Sequence, residues 1–547
     1  MSNSSILRLV LLSTAFAFGF SGSAAAAPEI SAYYLSGPPA ESGTPGYYAT
    51  LENLKELSDK ITAEGSNFNN LMLSFVQPSL TNYTPNSLTC TGLFGHTCVE
   101  GKDASKGTKD GAADFNTLKG IVADLRAHGV ETYIALGGWN FSCHPEIYDK
   151  TVGRDNACGP AGEVYDTFPN PSTGTLPRFE SSITGSAADG AYRNVVQLAT
   201  DLGVAGIDVD YEEFWHADIN AKVWTLNPDT ITPPARANGD GIENASFVPN
   251  KILGKPVVQA SQQLSDADLM QLGLGGDVYN AQMELNPNPD NYARAMPLTV
   301  DKFAVILKSL DTSINSINPS LKLSTAAPAT GGIPNMSANW GTVAPNSGIY
   351  GGAWWGGNLY GLIYNTALLH KEEVDKLSYV GIMSYDLSER DCEDGDSPGS
   401  EIPCDLVGQV NFYYNQFATW LKTGSGLPAD SPFTTSHVKV SGSRTYAQAS
   451  IQPRKLLIAP PITVGFEVGQ PATGNLVLTK DELTQLVDET VKYGQSGIIM
   501  WDLFKDVRHD QGNWQPNWAT PKDVLKEVCT KMGLAGEHYN CEANIPR

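Results

Sequence analysis

The chain has 547 residues, with 59 acidic against 36 basic side chains and a formal net charge of −23. That balance argues against a nucleic-acid partner and against anionic membrane surfaces, both of which reward clustered Lys and Arg. The length alone would suggest more than one domain. No Pro/Thr or Gly/Ser linker and no repeat period divides the chain, however, so a single domain over 27–547 is expected.

The amino terminus is organised differently from the rest. Arg8 supplies a positive start, Leu9 to Phe20 an apolar run, and Ala24-Ala25-Ala26 a small-residue cleavage site. This is the pattern of a secretory signal peptide over 1–26, and it predicts a secreted, extracellular protein. The apolar run is too short to span a bilayer, and no later stretch reaches transmembrane length, so no membrane partner is expected. The eight cysteines fall into four close couples. Read as local disulfides in an oxidising compartment, these are Cys90–Cys98, Cys143–Cys158, Cys392–Cys404 and Cys529–Cys541. There is no CxxC and no Cys/His cluster with zinc spacing, so neither a metal nor any other cofactor is expected.

Downstream, strand-like apolar runs alternate with helical patterns. Strands are predicted at 30–35, 70–76, 131–139, 206–212, 321–328, 377–387, 454–461 and 496–501. Helical spacing covers 115–129, 189–204 with Gly203 as its stop, and 298–314. A further helix over 480–493 opens on the capping box Thr479-Lys480-Asp481-Glu482 and stops at Gly494. A closing helix begins at Thr520-Pro521, an N-cap followed by proline at the first helical position. Eight strands alternating with helices predict an α/β chain folded as a (β/α)8 TIM barrel. A doubly wound open sheet would normally carry a glycine-rich phosphate turn, and the chain has no GxGxxG or Walker pattern. Long connections follow strands three, four and six, at about 142–188, 213–296 and 388–453. They would lie at the carboxyl face, where barrel active sites are found.

The most informative stretch is 206–212, GIDVDYE. Side chains alternate on a strand, so Asp208, Asp210 and Glu212 share one face while Ile207, Val209 and Tyr211 share the other. A strand fed directly by a helix in an α/β unit is buried on both faces. Carboxyl groups crowded there must share protons or hydrogen bonds, and the pKa of at least one is raised, which suits a general acid.

These three acids match the last three positions of DxxDxDxE, the signature of glycoside hydrolase family 18, the chitinases and their relatives, and the chain resembles that family. Ala205 stands where the pattern has its first Asp. Further motifs lie on matching strands. Gly137 and Gly138 match SxGG, with Ala135 in place of its Ser, and Met383, Tyr385 and Asp386 match MxYD. Trp501 ends the eighth strand, and Tyr33 and the Ser74-Phe75 pair occupy the usual aromatic positions of strands one and two.

The resemblance implies substrate-assisted retaining hydrolysis, an exception to the scheme with two working carboxylates. Glu212 would protonate the leaving oxygen and then activate water. Asp210 would orient the substrate's acetamido N–H, and Asp208 would share a proton with Asp210. Tyr385 would hold the acetamido carbonyl, Asp386 would help bind and distort the sugar, and Trp501 would give the ring an apolar floor. Met383, Gly137, Gly138, Tyr33 and Phe75 would complete the substrate site. The expected substrate is chitin or chito-oligosaccharides, with aromatics of 353–360 and 212–216 available for stacking. The alternatives are an endo-β-N-acetylglucosaminidase acting on N-glycans, a chitin-binding lectin on the same barrel, and a subunit of a larger secreted assembly such as a toxin complex. Many family members carry a small α+β insertion after strand seven. The short stretch 462–478 leaves no room for one, which predicts an open groove and mainly internal cutting. One competing motif is set aside: Gly395-Asp396-Ser397-Pro398-Gly399 fits G-x-S-x-G, but Pro398 lacks the backbone N–H that a serine-hydrolase elbow needs.

Overall fold

The computed structural model describes residues 27–36, 49–96, 110–138, 141, 168–171, 183–212, 298–328, 363, 366–385, 406–407, 458–471, 476–492, 497–505 and 514–546, together with two-residue strand fragments at 251–252, 255–256, 436–437 and 450–451. The signal-peptide segment 1–26 and Asp386 lie outside these residues, as do Cys98, Cys143, Cys158, Cys392, Cys404, the stretch 353–360, the motif at 395–399 and most of the three long connections.

Eight parallel strands close into a barrel. They are β1 (Glu29–Leu35), β2 (Asn70–Val76), β3 (Glu131–Gly137), β4 (Gly206–Asp210), β5 (Lys322–Pro328), β6 (Val380–Met383), β7 (Ile462–Glu467) and β8 (Gly497–Trp501). Each pairs with its sequence neighbour, and β8 returns to β1 through Glu29↔Gly497 and Ile30↔Ile498. This is the expected (β/α)8 architecture, and closure excludes the open doubly wound sheet. No helix among the described residues is long and apolar enough to cross a membrane.

The helices form for local reasons. In α1 (Leu51–Glu64), Thr50 caps the N-terminus reciprocally with Asn53, and Leu54, Leu57 and Ile61 form a buried stripe. In α2 (Gly111–Ala127), the Asp110 carboxylate accepts from the N–H groups of Ala112 and Ala113. In α3 (Gly185–Leu202), Ala188, Val195, Leu198 and Leu202 face the core, and Gly203 ends the helix in the left-handed region at φ 76°. The next helix, α4 (Leu298–Ile317), is followed by short α5 (Thr366–Leu369) and α6 (Lys371–Asp375). Thr479 and Glu482 close the capping box read from the sequence of α7 (Lys480–Lys492). In α8 (Pro521–Met532), Thr520 caps reciprocally with Asp523 and proline occupies the first turn.

Four of the expected strands are bounded differently: the third ends at Gly137 rather than 139, and the sixth covers Val380–Met383 rather than 377–387. The seventh was predicted at 454–461, but β7 begins at Ile462. The stretch ends in Pro460-Pro461, and proline supplies no donor to a ladder. Pro461 instead offers its carbonyl to Val380 N–H at 2.9 Å, and the β-branched run Ile462-Thr463-Val464 takes up the ladder. The fourth strand was predicted through Glu212, but β4 ends at Asp210.

The carboxyl-terminal segment packs under the barrel, on the turns leading into β2 and β3. Ser66 N–H donates to the His538 carbonyl at 2.9 Å, and Tyr539 Oη donates to the Gly129 carbonyl at 2.8 Å. The Cys529–Cys541 disulfide ties this segment to α8. Cys90 is also disulfide-bonded, with its partner outside the described residues.

Candidate active site

The inward and outward faces of β4 have separate fates. Ile207, Val209 and Tyr211 join the apolar layer between barrel and helices. There the Tyr211 ring stacks on Phe303 of α4 at 5.3 Å between centroids and meets Phe168 edge-on at 5.1 Å. Asp208 and Asp210 point the other way, into the barrel, and are 0% and 4% exposed. Glu212 lies two residues beyond the strand end and is only partly buried. The acidic row therefore runs from the barrel interior to its carboxyl rim.

The two buried acids have different surroundings. Asp208 accepts from Tyr33 Oη of β1 at 2.6 Å on Oδ2 and from Ser324 Oγ of β5 at 2.5 Å on Oδ1. Burial raises its pKa, and the two hydroxyl donors pull it back toward the ionised form. Asp210 Oδ1 is buried without a hydrogen-bond partner among the described residues. Burial first, and then the neighbouring Asp208 charge, push its pKa up to about 8. At neutral pH the pair holds a proton, with Asp210 as its better seat.

A second apolar cluster fills the inside of the barrel around these acids: Tyr33, Met72, Phe75, Tyr133, Ala135, Tyr379 and Ile499, with Met383, Ala205 and Trp501 packed against it. Trp501, at the end of β8, stacks on Phe75 at 5.8 Å and tilts toward Tyr33 at 5.6 Å. Non-proline cis peptides join Ser74 to Phe75 and Trp501 to Asp502. Ala205, at the position where the family signature has Asp, lies against this inner cluster.

The glycines are dictated by close approach. Gly137 has φ +102°, and a Cβ there would lie 2.5 Å from the Asp210 carbonyl oxygen and within 2.3 Å of the Phe168 ring. At Gly138, with φ +76°, a Cβ would meet the Phe75 ring at 2.7 Å, while its N–H donates to the Asp210 carbonyl at 2.9 Å. On the far side, Ser384 Oγ donates to the Gly465 carbonyl at 2.7 Å and accepts from Gly465 N–H, so β6 and β7 are tied at the rim. The ring of Tyr385 lies against Gly465, where a Cβ would come within 2.7 Å of it.

Tyr33, Phe75, Ala135, Met383 and Trp501 thus share one cluster with the lining of Asp208, while Gly137 and Gly138 abut Asp210 and Phe75. Three groups at this centre escaped the sequence reading: Ser324, Tyr133 and Tyr379. The alternation of LKLSTAAP could have placed Ser324 on an inward face, but not opposite Asp208. Among the described residues no cluster of His, Cys, Asp and Glu could hold a metal ion.

No protein-family model matches the sequence, and a search of curated proteins returns no match. Among solved structures, similar chains include a GH18 chitinase from Pseudoalteromonas aurantia (12% identity, TM-score 0.34, covering 92% of this chain and 99% of that one). The catalytic domain of a hyperthermophilic chitinase from Pyrococcus furiosus is similar at 12% identity and TM-score 0.35, covering 93% and 98%. The catalytic domain of a β-amylase from Paenibacillus polymyxa is similar at 10% identity and TM-score 0.38, covering 93% and 100%. Overlap at this level carries no argument about chemistry, which rests on the side chains.

Proposed function

We propose that the protein is a secreted chitinase that hydrolyses β-1,4 bonds between N-acetylglucosamine units by substrate-assisted retaining catalysis. The observation that supports this best is the graded acidic row: hydrogen-bonded Asp208, then Asp210 with its pKa pushed up to about 8, then Glu212 at the rim. Glu212 protonates the glycosidic oxygen, since it is the acid of the row that lies nearest solvent. The substrate's acetamido oxygen attacks the anomeric carbon and the C–O bond to the leaving sugar breaks, giving an oxazolinium ion. Water, deprotonated by Glu212, then opens that ion with overall retention. Asp210 accepts a hydrogen bond from the acetamido N–H and orients it, and the Asp208–Asp210 pair, which shares one proton and keeps one negative charge, stabilises the developing positive charge. Tyr385 and Asp386 serve the acetamido carbonyl and the sugar, and Trp501 offers its face to the ring.

The test is Glu212→Gln assayed on chito-oligosaccharides. Turnover is expected to fall by about 10²–10⁴-fold while oligosaccharide binding by calorimetry persists. A variant keeping more than about a tenth of wild-type turnover, a range well outside loss of a positioned acid, removes Glu212 from this role. Release of N-glycans from a glycoprotein without cleavage of chitin oligomers would replace the reading with an endo-β-N-acetylglucosaminidase.

A further inference from the structure

In the barrel ladder Asp208 has one in-register neighbour on each side: Ala135 on β3 and Ser324 on β5. Ala135 is fully buried and offers no polar atom, so the Asp208 carboxyl finds no donor on that side. Ser324 is equally buried, and its hydroxyl donates to Asp208 Oδ1 at 2.5 Å, opposite Tyr33, which donates to Oδ2. The two carboxyl oxygens are thus each held by one hydroxyl from a different strand, and the plane of the carboxyl is fixed. Asp210 has no such support among the described residues, where its Oδ1 meets no donor.

We infer that Ser324 is a positioning residue of this site, which with Tyr33 holds Asp208 as the anion of the acidic pair and so leaves the shared proton on Asp210. This rests on the proposed function for its catalytic meaning but not for its electrostatics. A hydroxyl that donates to a carboxylate stabilises the charged form far more than the protonated one. Asymmetric donation therefore sorts two otherwise similar carboxyls into an anion and an acid. The other groups facing Asp208 do not do this sorting. They are Tyr33 of β1, Tyr133 of β3, Tyr379 just before β6, and Asp210 on its own strand. Burial holds all three phenols neutral well past the range in which the acids titrate, so of these only Asp210 exchanges a proton with Asp208.

Ser324→Ala removes one small atom and keeps the packing. Loss of a hydrogen bond to a charged group is expected to move the acid limb of kcat/KM on chito-oligosaccharides upward by about one pH unit. Ala135→Ser in the Ser324→Ala background returns a hydroxyl from the opposite in-register position, and is expected to move the limb back toward wild type. An unmoved limb in Ser324→Ala, or no recovery in the double variant, overturns the inference. Thermal unfolding at pH 3 and pH 7 tests the same point without catalysis. Ser324→Ala is expected to lower Tm more at pH 7, where Asp208 is the anion, than at pH 3, below even the ordinary aspartate value of 3.8, and equal lowering at both pH values also overturns it. A wild-type protein inactive on every N-acetylated oligomer would sink the proposed function, while the unfolding comparison still decides the role of Ser324.

Discussion

Asp210 is buried and raised in pKa, and that has a consequence for stability that does not depend on turnover. In the folded state it keeps its proton up to about pH 8, whereas an unfolded aspartate releases it near its ordinary value of 3.8. Between those limits the folded state binds more protons than the unfolded one, so this group's contribution makes stability fall as pH rises. Asp210→Asn removes the titration, because the amide carries no charge to bury. The variant's Tm relative to wild type is expected to rise from pH 5 to pH 9, by an amount corresponding to a few kcal/mol at most. A flat difference across that window would mean that Asp210 titrates normally. The shared face of Asp208 and Asp210 was readable from alternation alone, because it needs only the period of a strand. The Ser324 contact was not, because register between β4 and β5 depends on how more than a hundred intervening residues let the strands meet. Glu212 shares the parity of the other two acids, but the strand ends before reaching it.

Elements of the barrel were legible where apolar runs ended in turn or cap chemistry, and misplaced where an apolar run continued past its punctuation. The stretch 454–461 looked like a strand because of its leucines, yet the two prolines mark its end and β7 starts beyond them. That shift brings Glu467 to the last position of β7, in register with Trp501 of β8. Glu467 pairs with Lys505, and both side chains are almost fully buried at the end of the barrel where Trp501 sits. Nothing in the sequence marks this pair, since the two residues are far apart and lie in different motifs. Removing one partner of a buried ion pair strands the other charge away from water. Lys505→Met is therefore expected to cost about 3–5 kcal/mol in urea unfolding. The double change Lys505→Met with Glu467→Leu should recover most of that loss, because a pair of apolar groups leaves no charge to desolvate. A single variant as stable as wild type would show that the pair is solvated in solution.

At the scale of the whole molecule the two ends of the barrel are built differently. At the amino end the carboxyl-terminal segment is held by backbone bonds to the turn before β2, by the Tyr539 hydroxyl to the turn before β3, and by the Cys529–Cys541 disulfide. The carboxyl end carries the acids, Trp501 and Tyr385, in keeping with the division in such barrels between a stabilising face and a reactive one. Between β7 and α7 there is only 468–479, and both ends of that stretch are committed to the barrel. Val468 N–H donates to the Trp501 carbonyl at 3.1 Å, Leu478 is buried in the core, and its carbonyl accepts from Ala519 N–H at 3.0 Å. A stretch this short, held at both ends, is too small to fold into a domain beside the groove. Under the proposed chitinase activity, a polymer can settle across the acids at any point along its length, so cutting is expected to be mainly internal. On a soluble chitin derivative, viscosity should collapse while few reducing ends have formed, with oligomers of mixed length from the first minutes. Steady release of dimers with viscosity preserved would mean that the groove is enclosed from another side and the chain is fed through it.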